Sequence, residues 1–379
     1  MKKILMPVIE AGSGHKVPAM AVKESIEKIY PGKYDIKVID FAKECGALKD
    51  DKALKDGWDF LLKYPVLARF GYKIMGFFKI DSRVYLQWCA KEYLTKGMLY
   101  IKEYNPDILF IPHMFSMSVA AMAREKYDLS CKIVGYITDP FDACEWWKDK
   151  GVDMTLVSSE VARQKLIKMG IDEKKILIYS FPVRHSFFNI KKTKNELVNE
   201  YGIDVSKKIV LTSAGGQGIG TASGKYVEEM YKKQMPFNVL FVCGKNEKLK
   251  QHLDDLKKNV VSSTNLIPLG YVNNMNELLS ISDFIIGKGG ASTTMEALMM
   301  GCPIIYTDYA APNEKTNIDF VVENKTGWYA SSKSIFFKII KKIQNTGILN
   351  EYRDNAKKLK LRSGADEIAK FVVEMLENG

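Results

Sequence analysis

Two glycine-rich turns carry the densest chemical pattern in the chain. The first lies in Phe284-Ile285-Ile286-Gly287-Lys288-Gly289-Gly290-Ala291-Ser292-Thr293-Thr294-Met295-Glu296-Ala297-Leu298. It reads as a buried strand, a tight turn and a helix start; Gly301 ends the helix and Pro303 opens the next strand. Amides at such a helix start point at an anion, and glycines let the anion come close to the backbone. Glu296, about a turn into the helix, has the chemistry to accept hydrogen bonds from ribose hydroxyls. The competing reading is an ordinary β–α turn followed by a surface glutamate. The second turn is Thr212-Ser213-Ala214-Gly215-Gly216-Gln217-Gly218-Ile219-Gly220. It lacks the Gly-Lys-Ser/Thr of a Walker loop, and its spacing is not GxGxxG. A phosphate clamp built from two glycine loops fits better than an ATP or NAD site. A third strand end runs into Ala311-Pro312-Asn313-Glu314-Lys315-Thr316-Asn317. Its amides and carboxylate suit the hydroxyls of a small polar ligand; an asparagine-capped helix start is the other reading.

The first half offers different residue types. Gly12-Ser13-Gly14-His15 lies between the first strand and the first helix, and His15 is one of four histidines. At a strand's carboxyl end it is a candidate general base, or else a helix-capping or merely polar histidine. Asp139, in Thr138-Asp139-Pro140-Phe141-Asp142, is a second candidate base or a group that orients one; a turn-forming Asp before Pro is the alternative. Residues 60–80 carry Phe60, Tyr64, Phe70, Tyr72, Phe77 and Phe78 among Lys63, Arg69, Lys73 and Lys79, with no acidic residue. Such interleaving suits an interfacial segment on anionic lipid or a stacking surface for RNA. A buried aromatic helix with lysine tips at the surface is the plainer option.

These residues need elements to hold them. Short apolar, β-branched runs recur at 4–9, 36–39, 108–111, 133–137, 154–157 and 176–179, then again at 209–212, 239–242, 266–269, 284–286 and 302–306. Continuous apolar runs suit strands buried on both faces of a parallel sheet. Residues 17–30 have helical spacing, with Pro18 in the first turn. Residues 184–206 are polar and lysine-rich, so the boundary is placed there: an N-terminal domain over 1–184, a C-terminal domain over 185–350, and a final helix in 351–379 packing back on the first domain. The fold expected is α/β, two doubly wound domains facing a central cleft, with ligands at the carboxyl ends of the strands.

At 379 residues two domains are the default. The composition, 46% hydrophobic and 27% charged, is that of a globular protein. The net charge of +11 favours acidic partners. Six cysteines without a CxxC pair or a His/Cys cluster argue against a disulfide framework and a structural zinc, and point to a reduced, cytoplasmic compartment. The N-terminal run is too short for a signal-peptide core, and no stretch of about 18 apolar residues exists to span a membrane.

As an ordered set, these motifs resemble the GT-B glycosyltransferases of family 28, in the branch of monogalactosyldiacylglycerol synthases and diacylglycerol glucosyltransferases. The resemblance includes Asn105-Pro106-Asp107, Lys150-Gly151-Val152-Asp153, Ser158-Ser159-Glu160, Pro182-Val183, Cys243-Gly244-Lys245 and Leu269-Gly270-Tyr271-Val272, and runs from Gly12 to Asn317. It implies an inverting hexosyltransferase, moving glucose or galactose from a UDP-sugar to a lipid acceptor such as diacylglycerol. It would put uracil near Tyr271 and Val272, diphosphate near Gly215, Gly216, Gly290, Ala291, Ser292 and Thr293, ribose on Glu296, and sugar hydroxyls at Asn313, Glu314 and Asn317. The family often shows Pro-Gly-Gln-Glu-x-x-Asn in that last segment, and Asn313 here carries a shorter amide. His15 matches the histidine associated with acceptor activation, with Asp139 beside it in role. Gly14, Phe70, Lys73, Phe77, Phe78 and Lys79 fall to the acceptor and the anionic membrane surface, on the inner face of the cell membrane. No metal and no cofactor are implied, and no nucleic-acid motif supports an RNA or DNA partner. A regulator that binds a nucleotide sugar without catalysis would keep Glu296 and the glycine loops but could dispense with His15 and Asp139. A nucleotide-sugar epimerase would not need residues 60–80.

Overall fold

The apolar runs of the first half close into one parallel six-stranded sheet in the order β2-β1-β3-β4-β5-β6. The strands are β1 (Lys3–Val8), β2 (Asp35–Asp40), β3 (Ile108–Ile111), β4 (Lys132–Tyr136), β5 (Met154–Val157) and β6 (Ile176–Ile178). The computed structural model describes residues 1–379 apart from Ser13, Pro65, Ala68, residues 72–80, residues 214–221, Gly379 and the Leu62 side chain. β3 is buried along its whole length, as helices on both faces require. β2, Asp-Ile-Lys-Val-Ile-Asp, lies at the edge, where its charged residues keep an exposed flank from pairing with another chain.

The second series forms a second parallel sheet in the order β12-β11-β10-β7-β8-β9. Its strands are β7 (Lys208–Ser213), β8 (Phe237–Val242), β9 (Asn265–Leu269), β10 (Phe284–Lys288), β11 (Ile304–Asp308) and β12 (Gly327–Tyr329). Pro268 sits inside β9 without harm because β9 is an edge strand. β12 has only three residues, too short for a pattern, and was not anticipated. Counted from its own first strand, this sheet has the order 3-2-1-4-5-6 of dinucleotide-binding folds, whereas the first extends the 2-1-3-4-5 order by one strand.

The chain divides into two compact units, Met1–His185 with Arg362–Gly379, and Ser186–Leu361. The single final helix expected from the sequence is two helices. Ile348–Lys358 belongs to the second unit and Ala365–Glu377 to the first. Between them Lys360 takes a left-handed φ of 51°, which ends the first helix. Gly364 lies so close to the Ser180 carbonyl that a Cβ would come within 2.0 Å of its oxygen. Ser363 locks the same crossing: its Oγ donates to the Val183 carbonyl at 2.7 Å and accepts the Val183 N–H at 2.9 Å. The last helix then buries Ile368, Ala369, Val372, Val373 and Leu376, a stripe at helical spacing, and packs on the helix Lys16–Ile29.

Candidate functional site

In each sheet the strand order reverses at one place, and the loops leaving the two strands there open a crevice. In the first unit those strands are β1 and β3, with β4 next to β3. His15 follows β1, His113 follows β3, and Thr138 and Asp139 follow β4. His15 Nδ1 is 2.6 Å from the Pro112 carbonyl oxygen and 3.2 Å from Thr138 Oγ1. A carbonyl only accepts, so Nδ1 carries the proton and Nε2 keeps its lone pair. His15 occupies the cap position of the helix Lys16–Ile29, yet its side chain makes no capping bond, so the capping reading fails. Burial lowers its pKa to about 4, partly opposed by the Pro112 hydrogen bond. The imidazole is therefore neutral at physiological pH and able to accept a proton.

Asp139 is buried, and its Oδ2 accepts the Trp147 indole N–H at 2.9 Å. It shares the strand end with Thr138, which touches His15, so the structure brings both candidate catalytic residues of this half into one crevice. Gly14 has open space where a side chain would be. His113 and Trp147 were not singled out from sequence. His113 follows a recognised strand, so its position at a strand end was the available signal. Trp147 comes from an irregular segment after β4 and had none.

The basic aromatic stretch is described only in part, and Lys73, Phe77, Phe78 and Lys79 lie outside the described residues. Within the described part, Phe60, Tyr64, Val66, Leu67 and Phe70 are exposed, the last at 64%. The buried-helix alternative therefore fails for them. Trp88, on the helix Ser82–Cys89, is 77% exposed and was also missed.

In the second unit the reversal lies between β7 and β10. Gly215 and Gly216 follow β7 but lie outside the described residues. β10 leads to Gly289, Gly290 and the helix Ala291–Met299. Gly290 caps that helix without a side chain, so its first amides, at Ala291, Ser292 and Thr293, have no capping acceptor among the described residues. Such an end attracts negative charge. Gly289 cannot be replaced freely: a Cβ there would stand 2.6 Å from the Glu314 carbonyl oxygen. That contact joins the turn to the helix Pro312–Glu323.

Asn317 Nδ2 donates to the Gly289 carbonyl at 2.8 Å, which fixes the amide and leaves Oδ1 without a hydrogen-bond partner among the described residues. Ser292 Oγ and Thr212 Oγ1, at the end of β7, are likewise buried without a partner there. Buried polar atoms of this kind call for a hydrogen-bond partner beyond the described residues. Glu296 is 9% exposed, so it is not the surface glutamate of the competing reading. Asn313 is not a cap, because Ala311 holds that position. Glu314 is buried, and both its oxygens are engaged: Oε1 pairs with Lys288 Nζ at 3.0 Å and Oε2 accepts the Ala310 N–H at 2.6 Å. This places an ammonium group beside the glycine turn. Tyr271 is exposed and Val272 half-buried just beyond β9, at the same carboxyl edge.

Residues 15–183 match the family model described as monogalactosyldiacylglycerol (MGDG) synthase, and residues 221–371 match the glycosyltransferase family 28 C-terminal domain. The chain is 27% identical over 387 residues to monogalactosyldiacylglycerol synthase 2 of Arabidopsis thaliana, covering 99% of this chain and 81% of that protein. It is 29% identical to a probable monogalactosyldiacylglycerol synthase of Glycine max, over 89% of this chain and 64% of the relative's length. Among solved structures, a glycosyltransferase from Rickettsia africae has a TM-score of 0.59 at 16% identity, covering 100% of this chain and 99% of that one. A UDP-GlcNAc 2-epimerase from Neisseria meningitidis has a TM-score of 0.63 at 14% identity over the full length of both chains. At these identities the solved structures speak for the fold. The chain is a glycosyltransferase of the GT-B fold, whose N-terminal half matches the monogalactosyldiacylglycerol synthase family and whose C-terminal half matches the family 28 C-terminal domain.

Proposed function

We propose that this chain transfers a hexose, galactose or glucose, from a UDP-sugar to the free hydroxyl of diacylglycerol, with inversion at the anomeric carbon. The observation that carries the reading is the His15 imidazole, neutral and with Nε2 available, in a half that matches the MGDG synthase model. The relatives' names make UDP-galactose and diacylglycerol the first pair to test.

His15 Nε2 takes the acceptor proton as the oxygen attacks the anomeric carbon. The bond to the β-phosphate oxygen breaks, and UDP leaves with the electron pair. General-base assistance is worth roughly 10²–10⁴-fold in rate. The bare helix start at Ala291–Thr293 and the Lys288 ammonium group stabilise the charge that grows on the leaving diphosphate. In this reading Gly215, Gly216 and Gly290 cradle the diphosphate, Glu296 holds the ribose, Tyr271 and Val272 face the uracil, and Asn313 and Asn317 meet the sugar. Glu314 acts through Lys288. The exposed aromatics of 60–70, continued by Lys73, Phe77, Phe78 and Lys79, dock the protein on an anionic membrane at its cytoplasmic face. Among the described residues no helix is long and apolar enough to cross one. The reaction is assigned to no metal, so EDTA-treated protein is expected to keep its turnover.

The test is a product assay with purified protein, UDP-galactose, UDP-glucose and liposomes with or without diacylglycerol. Glycolipid formed only with diacylglycerol supports the reading. Transfer to a different lipid would replace the acceptor. UDP binding without transfer to any lipid offered would favour a regulator.

A further inference from the structure

His113 has no part in the reaction as derived above, yet its ring meets His15 edge-on, with centroids 4.7 Å apart and planes at 86°. It is buried and caps the helix Met114–Tyr127: its Nδ1 accepts the Ser116 N–H at 3.3 Å and lies 3.2 Å from Ser116 Oγ. Ser116 Oγ in turn bonds the buried Tyr93 hydroxyl at 2.8 Å. With Nδ1 accepting, the proton of the neutral ring lies on Nε2. Phe115 backs the ring at 5.6 Å. The carbonyl that holds His15 belongs to Pro112, the residue before His113, and the proline ring restricts the backbone there. One turn after β3 therefore supplies both the acceptor for His15 Nδ1 and a wall for its ring.

We propose that His113 is a positioning residue for His15: anchored as a helix cap, it holds the His15 imidazole in the one orientation in which Nδ1 donates to Pro112 and Nε2 stays open to the acceptor hydroxyl. The inference rests on the reading of His15 as the base. An imidazole without such a wall can turn over about its Cβ–Cγ axis, which puts Cδ2 where Nδ1 was and Cε1 where Nε2 was, so that the bond to the Pro112 carbonyl is lost. The wall also keeps water from the ring, in line with the lowered pKa of both histidines, which burial causes. Among the described residues, the titratable groups near the pair include Asp139, beside Thr138 at the end of β4, Tyr93, which shares Ser116 with His113, and Cys144, which interacts with Asp139. Asp139 carries the Trp147 hydrogen bond. Burial pushes the Cys144 thiol up to about 12 and the Tyr93 phenol well above its usual value, so neither is charged near neutrality.

The variant to make is His113→Asn, because asparagine retains a capping acceptor for the helix. In the full chain, kcat is expected to fall by about tenfold or more, a fraction of the full effect of a general base. The KM for the UDP-sugar should stay within about twofold of the parent, since a tenfold change would require about 1.4 kcal/mol of lost binding. The acidic limb of kcat/KM should move up towards pH 6.5, the ordinary histidine value. A purely structural role would lower the melting temperature and leave that limb where it was. Imidazole 15N spectra give a readout without turnover: His15 should be the Nδ1–H form in the parent and a mixture of tautomers in His113→Asn. A folded His113→Asn with parental kcat, acidic limb and tautomer overturns the proposal. Should that variant not fold, a parent whose His15 already shows mixed tautomers overturns it equally. Near-normal turnover of His15→Ala would sink the base reading itself, whereas lost turnover there with an unchanged His113→Asn profile would sink only the positioning role.

Discussion

The two crevices have the same architecture and opposite chemistry. Each opens where a parallel sheet reverses its strand order. In the first unit the strand ends carry a half-buried and a buried imidazole, an indole and a carboxylate, and desolvation holds both histidines neutral. In the second they carry glycines, a helix N-terminus without a side-chain cap, Ser292 and Asn317 oxygens that have no partner among the described residues, and a lysine held by Glu314. The difference shows that a doubly wound sheet decides where a ligand goes and leaves to the loops what the ligand is. One crevice suits a group that gives up a proton; the other suits an anion.

The sharpest way to break this comparison is His15→Ala. Turnover is expected to fall by about two orders of magnitude or more, the scale of a lost general base. UDP affinity, measured by calorimetry on the same preparation, should barely change, because no group of the second unit is altered. Loss of both together would mean that the two crevices do not divide the work as described.

Gly289→Ala probes the other side. Its Cβ would meet backbone, the Glu314 carbonyl, so the turn or the helix Pro312–Glu323 must shift. Overpacking of this kind costs roughly 1–3 kcal/mol, and UDP affinity should weaken by about tenfold or more. A melting-temperature rise with UDP equal to that of the parent would show that the turn does not touch the ligand.

A smaller effect is expected at the surface. Phe70→Ser with Trp88→Ser removes two exposed aromatic rings from the first unit. Sedimentation with anionic vesicles should drop several-fold, on the order of 1 kcal/mol, while UDP affinity holds. Equal sedimentation would remove these residues from any membrane contact.

The smallest effect concerns pH. Both crevice histidines have folded-state pKa values below the ordinary 6.5, about 4 for His15. Their contribution is present in full above pH 6.5. It declines as pH falls from 6.5 towards 4, where the unfolded chain takes up protons that the native one does not. The melting temperature of the parent should therefore fall more steeply over that range than that of the double variant His15→Gln, His113→Asn. Parallel curves would mean that neither ring is kept neutral by burial.

The fold was legible because its strands are buried on both faces. A continuous apolar run such as Ile108–Ile111 declares itself without knowledge of its neighbours. The glycine turn after β10 was legible for a similarly local reason, since a strand, a tight turn and a helix follow one another within a dozen residues. β12 has three residues and no readable period. The final helix looked continuous because both halves are amphipathic, and only the contact of Gly364 with Ser180 shows where the chain must leave one unit for the other. Residues 313–317 read as ligand groups, yet Glu314 turned out to serve Lys288 and Ala310.

By itself, then, the sequence determined eleven of the twelve strands among the described residues, where the glycine loops fall and which residue types stand at the strand ends, because periodicity, turn chemistry and composition act over a few residues. Only the tertiary structure decided the order of the strands, and with it the partners of the site. The Pro112 carbonyl that sets the His15 proton is 97 residues away, and Gly289 O meets the Asn317 amide across 28. Hydrogen bonds at such separations are made only when β3 lies beside β1 and when the helix Pro312–Glu323 packs on the turn after β10. The choice of nitrogen that can take a proton thus belongs to the packing of the sheet.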